Sequence, residues 1–257
     1  MRVAFIQTYP IDHDLLSTQQ WLQRENRDLW MPGILSGLQV DVELWAAGKE
    51  SSTHSFHSDG LGEYTIRVFE SQKKRGGTKK HYSDSLIEHA MAYDADLHVL
   101  KGTDGGVGIR LLRRFLLPQN KPFVFVIGGK YYTRHVPQAN LVFYETEEQR
   151  QLLESPGWRL WRSKVPGSRL MRLPKSVDTD SFHPMPDVRK RWDIISVGRI
   201  INRYKSYDPL GKLAEQADIA VAGGGPALED LQGKHPSIEW LGHIPNKQLP
   251  GALNKAH

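Results

Sequence analysis

Short apolar runs rich in valine, isoleucine and phenylalanine recur along this 257-residue chain, and helix-like stretches separate them. Runs of this kind are typical of parallel strands that are buried on both faces of a sheet. Their alternation with helices predicts a doubly wound α/β fold. The runs before residue 150 are residues 3–6, 40–45, 65–69, 97–100, 123–127 and 141–144.

The stretches between the runs carry helix signals. Residues 83–92 place three apolar side chains on one helical face, and residues 109–117 alternate leucine with arginine. Thr146, followed three residues later by Gln149, forms a capping-box sequence and predicts the start of another helix.

A second series of strands and helices follows a proline-bearing stretch at residues 174–186. We therefore predict two domains, residues 1–185 and residues 186–257. The predicted strands of the second domain are residues 194–197, 219–222 and 238–241, and its helices are residues 210–216, 227–233 and a segment from residue 246 onward. Because the chain ends at His257 after three strands, we expect the second domain to be incomplete.

Composition narrows the class of protein. The chain has no cysteine, which excludes disulfides and thiolate chemistry. No apolar run approaches the ~20 residues of a membrane-spanning helix. The first six residues do not form a signal peptide, so we expect a cytoplasmic protein.

The formal net charge is +5, and the tightest basic cluster comprises Lys73, Lys74, Arg75, Lys79 and Lys80. Such a cluster is either a solvated loop or a contact with an anionic surface, which would place the protein peripherally at a membrane. No aromatic residues interleave with it, so we expect no nucleic-acid partner.

Five motifs follow one another in the last third of the chain. They are Arg-Leu-Pro-Lys-Ser-Val-Asp-Thr-Asp-Ser-Phe-His-Pro at residues 172–184, Ile-Ser-Val-Gly-Arg at 195–199 followed by Lys205, Ala-Gly-Gly-Gly-Pro at 222–226, Ile-Glu-Trp-Leu-Gly at 238–242, and an apolar helix sequence at 249–257. In this order they resemble the motifs of family 4, or group 1, of the GT-B glycosyltransferases. The N-terminal half resembles that family only in its βα rhythm.

The resemblance implies two Rossmann-like domains that face each other across a cleft, with the acceptor on the first domain and the donor on the second. It implies retaining, metal-independent transfer of a sugar from a nucleotide-diphosphate sugar to a glycan or lipid acceptor. The nucleotide sugar is a co-substrate, so no cofactor is implied.

The resemblance assigns catalytic charge stabilisation to Arg199 and Lys205. Departure of a diphosphate builds negative charge, and an arginine fork and a lysine ammonium can both stabilise it. The lysine lies one residue further from the arginine than is common in the family, so Arg203 is an alternative to Lys205. We expect Arg199 to follow the first strand of the second domain and to face the cleft. The donor-binding candidates are Gly198, Arg203, Gly224, Gly225, Gly242, His243 and Ile244.

The candidates for the acceptor side of the cleft are Gly105, Gly106, Gly128 and Gly129. Residues 102–108 resemble a phosphate-cradling turn but lack the dinucleotide spacing, so we predict that they shape the cleft floor. Many family members carry a histidine where residues 127–129 read Ile-Gly-Gly, and that residue is missing here.

Asp178-Thr179-Asp180 matches the metal-binding Asp-x-Asp of the GT-A class. Phe182 and Pro184 follow at the spacing of the family 4 interdomain motif, which assigns these carboxylates to the hinge. We therefore predict no metal site here, and a buried Phe182.

Two other functions stay open. The first is a non-catalytic GT-B-like module or remnant that binds a glycan or nucleotide without turnover, which the missing histidine and the early chain end favour. The second is a related GT-B enzyme such as a sugar-nucleotide epimerase.

Overall fold

A computed structural model describes residues 1–11, 17–22, 27–57, 60–72, 77–129, 132–155, 163–175, 177–201 and 206–257. The chain divides into two compact units, Met1–Ser176 and Val177–His257. This division falls nine residues before the boundary expected from the sequence. Residues just after it belong with the second unit because Met185 N–H donates to Asn254 Oδ1 at 2.7 Å and Asn254 Nδ2 donates to His183 O at 3.0 Å.

The first unit contains an eight-stranded sheet with the order β3-β4-β2-β1-β5-β6-β7-β8. Neighbouring strands run parallel, except that β3 and β4 form an antiparallel pair. The strands are β1 (Arg2–Gln7), β2 (Asp41–Gly48), β3 (Ser52–Phe56), β4 (Tyr64–Glu70), β5 (Leu97–Lys101), β6 (Phe123–Val126), β7 (Leu141–Tyr144) and β8 (Leu170–Arg172).

Helices of this unit connect the parallel strands. They are α1 (Thr18–Leu22), α2 (Arg27–Gly37), α3 (Asp84–Tyr93), α4 (Gly106–Leu111), which continues as a π-helix (Leu112–Leu116), and α5 (Glu147–Glu154). Short 3-10 turns occur at Thr78–Lys80, Val136–Gln138 and Gly167–Arg169. None of the helices in the described parts of the chain is both long and apolar enough to cross a bilayer.

The position of β1 inside the sheet explains why its sequence is continuously apolar. Val3 and Phe5 belong to one buried cluster, whereas Ala4 and Ile6 belong to another. Successive side chains of a strand point to opposite faces, so the sheet is covered on both faces. This is the arrangement predicted from the apolar runs.

The helix signals also correspond to observed caps. Ser83 Oγ accepts from Leu86 N–H at the start of α3, and Leu86, Ile87 and Ala90 are buried. Thr146 and Gln149 form the predicted capping box at the start of α5.

Two strands were absent from the sequence prediction. In β3, which is an edge strand, no residue is fully buried and partly buried residues alternate with exposed ones, so its sequence has no apolar run. The other, β8, has three residues at the opposite edge of the sheet, and two of them are exposed. Apolar content does not identify strands of this kind.

The second unit contains a parallel three-stranded sheet with the order β11-β10-β9. Its elements are β9 (Ile194–Val197), α6 (Asp208–Leu213), β10 (Ile219–Ala222), α7 (Leu228–Lys234), β11 (Glu239–Gly242), a 3-10 turn (Asn246–Gln248) and α8 (Leu249–Leu253). Ile219 and Val221 of β10 contribute to the main buried cluster, while Ala220 packs on the other face with Trp192 and Ala256.

Phe182 corrects one expectation, because it is half-buried and not buried. It ends a polar turn in which Phe182 N–H donates to Asp178 O at 2.9 Å and Ser181 Oγ donates to Asp178 Oδ2 at 2.6 Å. Hydrogen bonds hold this turn, so the ring is not needed as a buried anchor.

A buried carboxylate links β2, β4 and α3 in the first unit. Glu43 is 7% exposed and accepts hydrogen bonds from Arg67 Nη2 at 2.8 Å, Trp45 Nε1 at 2.8 Å and His89 Nε2 at 3.0 Å. Burial raises the pKa of Glu43, but the hydrogen bonds from Arg67, Trp45 and His89 outweigh that effect and hold the pKa below its ordinary value.

We expect Glu43→Gln to destabilise the first unit. The substitution removes the charge that pairs with Arg67, whose side chain is 34% exposed, so the loss should be on the order of 3 kcal/mol, at the lower end for a broken buried pair. Urea unfolding measures it, with Glu50→Gln as the control because Glu50 is exposed just beyond β2. A loss as small as that of the control would contradict the role assigned to Glu43.

The pKa of Glu43 also predicts a pH dependence. A carboxyl whose folded-state pKa lies below its ordinary 4.5 contributes stability that is fully present above that value and is lost as the pH falls through the folded-state pKa. The difference in stability between the wild type and Glu43→Gln should therefore shrink as unfolding is measured at pH values from 7 down to about 3. A difference that stays constant over this range would show that the charge of Glu43 is not what stabilises the fold.

Candidate functional site

Three turns of the second unit meet at the carboxyl edge of its sheet. Each follows one strand, and backbone hydrogen bonds connect them: Gly198 N–H to Ala222 O at 3.0 Å, Ile200 N–H to Gly224 O at 3.0 Å, and Gly223 N–H to Gly242 O at 2.7 Å. In open α/β sheets this edge is where ligands bind. The structure thus brings Gly198, Arg199, Gly224, Gly225, Gly242, His243 and Ile244 to one edge.

The glycines of these turns differ in what surrounds them. A Cβ atom on Gly223 would lie 1.9 Å from Gly198 O, and one on Gly225 would lie 2.1 Å from Ile200 O. These two positions need glycine for close packing of one turn on the next. By contrast, a Cβ on Gly224 would meet nothing closer than His243 Cβ at 3.9 Å, and one on Gly242 would meet no atom within 4 Å. Gly224 and Gly242 therefore border open space.

Arg199 follows β9, the first strand of its unit, and is exposed two residues beyond the end of that strand. The next residue, Ile200, is fully buried and anchors the turn in the core of the unit. His243 is also exposed at this edge. Arg203 and Lys205 lie outside the described residues.

In the sheet of the first unit, β1 lies between β2, which follows it in sequence, and β5, which comes later in the chain. Ligands of doubly wound folds bind beyond the carboxyl ends of such strands. Here Thr8 Oγ1 donates to Lys101 O at 2.6 Å, which ties together the segments that follow β1 and end β5.

The glycine-rich residues 102–108 pack against Thr8. A Cβ on Gly105 would lie 2.0 Å from Thr8 O, and one on Gly108 would lie 2.4 Å from Thr8 Cγ2. Gly105 is buried, so its small size serves contact with Thr8. Gly106 fits equally tightly, because a Cβ there would lie 2.3 Å from His81 O.

At the carboxyl end of β6, Gly128 and Gly129 are exposed. The buried Gln149 holds this turn, because its Nε2 donates to Gly129 O at 2.7 Å while its Oε1 accepts from Glu145 N–H at 2.6 Å. The sequence identified Gln149 only as a helix cap. Its contact with a turn 20 residues earlier was not predicted.

A basic cavity of about 380 Å³ lies between the 3-10 turn at 78–80 and the helix at 106–116. We call it the basic cavity and define it by its cationic lining, Lys79, Lys80, Arg110, Arg113 and Arg114. The sequence placed Lys79 and Lys80 only in a basic cluster that is either a solvated loop or a contact with an anionic surface, and it assigned the three arginines to no site. The available signal was the recurrence of arginine at 110, 113 and 114, a spacing that places side chains on one face of a helix.

The carboxylates of the Asp-x-Asp sequence are part of a turn. Asp178 Oδ1 accepts from Asp180 N–H at 3.0 Å, and its Oδ2 accepts from Ser181. Within the described ranges, no three histidine, aspartate or glutamate side chains are grouped so that they could hold a metal ion.

Comparison with solved structures identifies the fold. The pneumococcal O-GlcNAc transferase GtfA, in complex with UDP and GlcNAc, matches with a TM-score of 0.59 at 11% identity, over 95% of this chain and 76% of that one. An Escherichia coli structure described as trehalose-6-phosphate bound with UDP-2-fluoro glucose matches with a TM-score of 0.59 at 10% identity, over 99% and 76%. AviGT4, a glycosyltransferase involved in avilamycin A biosynthesis, matches with a TM-score of 0.53 at 15% identity, over 100% and 68%.

No protein-family profile matches the chain. No curated protein sequence matches it either. The structural matches, together with the mostly parallel sheet, show that the chain has the α/β fold of the GT-B glycosyltransferases. At these identities the likeness establishes the fold alone.

We expect alanine substitutions to distinguish Gly223 and Gly225, which pack against backbone, from Gly224, which borders open space. Gly223→Ala and Gly225→Ala force a methyl group into a backbone carbonyl, and should each cost about 2–3 kcal/mol of stability or more. Gly224→Ala should leave the stability nearly unchanged, because its Cβ meets only ordinary contact. Thermal unfolding measures all three variants. Equal destabilisation by all three would contradict this assignment of the turns.

Proposed function

We propose that the protein transfers a sugar from a nucleotide-diphosphate sugar to a glycan or lipid acceptor, and that the donor binds at the carboxyl edge of the three-stranded sheet. The observation that carries this proposal is the meeting of three strand-end turns at one edge, with Gly224 and Gly242 bordering open space and Arg199 exposed beside them. Backbone of this kind can approach a ligand closely because no side chain intervenes.

Two neighbours of the same fold support the choice of donor. GtfA was solved with UDP, and the E. coli structure was solved with UDP-2-fluoro glucose. We therefore propose UDP-sugars as the first donors to test.

In the proposed reaction the bond between the anomeric carbon and the diphosphate oxygen breaks, and an acceptor oxygen forms a new bond to the same carbon. The acceptor oxygen attacks the face of the sugar from which the diphosphate leaves, so the configuration is retained, and the acceptor proton passes to the departing diphosphate. Negative charge grows on the diphosphate in the transition state, and groups that bind it there accelerate the reaction. We assign this task to Arg199 and Lys205, and keep Arg203 as the alternative to Lys205. Two cations can replace a metal ion in this role, so we propose that the mechanism is metal-independent.

A non-catalytic GT-B-like binding module is the second candidate. The observation that favours it lies at the carboxyl end of β6, where Ile127 is buried and the exposed residues Gly128 and Gly129 have no side chain that could contact a sugar. A module of this kind would bind the nucleotide or a glycan without turnover.

We expect Arg199→Ala to weaken UDP binding about 10- to 100-fold, since a charge-assisted hydrogen bond contributes about 1.5–3 kcal/mol. Isothermal titration measures the affinity. Arg189→Ala is the matched control, because Arg189 is exposed on the amino side of β9 in the same unit. Comparing Lys205→Ala with Arg203→Ala identifies the second cation. Wild-type affinity in Arg199→Ala would exclude this edge as the diphosphate site.

Turnover separates the enzyme from the binding module. With UDP-glucose or UDP-GlcNAc and EDTA present, we expect slow release of UDP to water, and the sugar released first should keep the donor's anomeric configuration. UDP assays and NMR follow the two products. UDP binding without release from either donor, or from GDP-mannose, would favour the non-catalytic module. Release that EDTA abolishes would exclude metal independence.

A further inference from the structure

The basic cavity of the first unit has a charge that its own carboxylates do not neutralise. Three of its five cationic side chains pair with two carboxylates: Asp104 Oδ2 lies 2.7 Å from Lys79 Nζ, and Asp84 Oδ1 lies 3.1 Å from Arg110 Nε and 3.4 Å from Arg114 Nη1. Five cations against two carboxylates leave a formal charge of +3. The side chains of Lys80 and Arg113 make no hydrogen bond or ion pair with any residue that the structure describes.

The walls of the cavity are held in place by contacts that do not need a ligand. Arg110 lies over the ring of Tyr82 at 4.1 Å and donates to both oxygens of Asp84. The turn that carries Lys79 and Lys80 packs closely on Gly106, the first residue of the helix. A Cβ atom on Gly106 would lie 2.3 Å from His81 O, so there is no room for even a methyl group. These contacts fix Arg110 in advance, so its side chain loses little conformational entropy when an anion binds.

The arrangement fits a phosphate group better than a carboxylate. Cations approach from two walls, the turn on one side and the helix on the other, and a phosphate offers oxygens in several directions whereas a carboxylate offers two in one plane. The volume of about 380 Å³ lies within the range of small-molecule sites, and Ile109 adds apolar surface to the lining.

We propose that the basic cavity binds a phosphate group carried by the acceptor, an inference that rests on the proposed function. The phosphate has two sources that share this chemistry, a free phosphorylated glycan or a phosphate-bearing lipid headgroup.

The test uses the whole chain and two probes, inorganic pyrophosphate in solution and vesicles of phosphatidylglycerol and phosphatidylcholine at a ratio of 3:7. The variant Lys80→Gln/Arg113→Gln removes two exposed cations that lack partners among the described residues, so the thermal unfolding temperature should not change. The matched control is Lys164→Gln, which removes an exposed charge from the segment between α5 and β8 of the same unit and does not line the cavity.

Pyrophosphate also resembles the diphosphate of UDP, so Arg199→Ala serves as a second background. We expect a binding component that persists in Arg199→Ala and in Lys164→Gln and weakens at least tenfold in the double variant, because charge-assisted hydrogen bonds are lost. Binding to pyrophosphate supports a soluble phosphate, whereas binding to the anionic vesicles alone, lost in the same variant, supports a lipid headgroup.

Two results would overturn the proposal. One is that the wild type binds no vesicles, and that all of its pyrophosphate binding is lost in Arg199→Ala. The other is that Lys164→Gln weakens binding as much as the double variant does, which would show attraction to diffuse positive charge. The proposed function is contradicted by a different result, namely that UDP does not bind or that its binding does not depend on Arg199. A phosphate site that depends on Lys80 and Arg113 would then remain, but without an assigned acceptor.

Discussion

Close contact between backbone turns at the carboxyl edges of the two sheets is the constraint on which both candidate sites depend. In the first unit Thr8 lies against Gly105 and Gly108, and in the second Gly198 O lies where a Cβ of residue 223 would be. A parallel sheet covered on both faces buries its strands completely, so the turns at its edges are where polar backbone remains accessible. Turns that pack this tightly are fixed relative to one another, which is what a binding site requires.

Because of this close contact, neighbouring glycines of the second unit have different roles. Gly223 and Gly225 are needed so that one turn can touch the next, and the contact between those turns is what leaves Gly224 beside open space. A substitution at a packing glycine would therefore alter ligand binding through the position of the turn, whereas one at Gly224 would act directly. Loss of binding at a packing glycine is thus not by itself evidence of contact with a ligand.

Much of the fold could be predicted from the sequence because the inner strands are buried on both faces. Strands such as β1, β5 and β9 were located to within one or two residues from their apolar runs. Strand β3 could not be located in this way, because an edge strand buries less of its surface. The boundary between the units was also displaced, because the contacts of Asn254 with residues 183–185 join segments about 70 residues apart.

The candidate sites were predictable only as far as local sequence specifies them. The motif around Arg199 lies in one turn after one strand, so its position at a sheet edge follows from the strand. The basic cavity is different, because the cations at 79–80 and those at 110–114 belong to segments separated by α3 and β5, and only the fold brings them together. Its helical half was visible as arginines at 110, 113 and 114, yet such a row on an exposed helix face is ordinarily solvated. What distinguishes this row is the packing of the turn against Gly106, which converts a charged surface into a walled cavity. The row of arginines therefore lines a cavity only because a segment distant in sequence packs against it. At Gly106 that packing leaves room for no residue larger than glycine unless the turn is displaced.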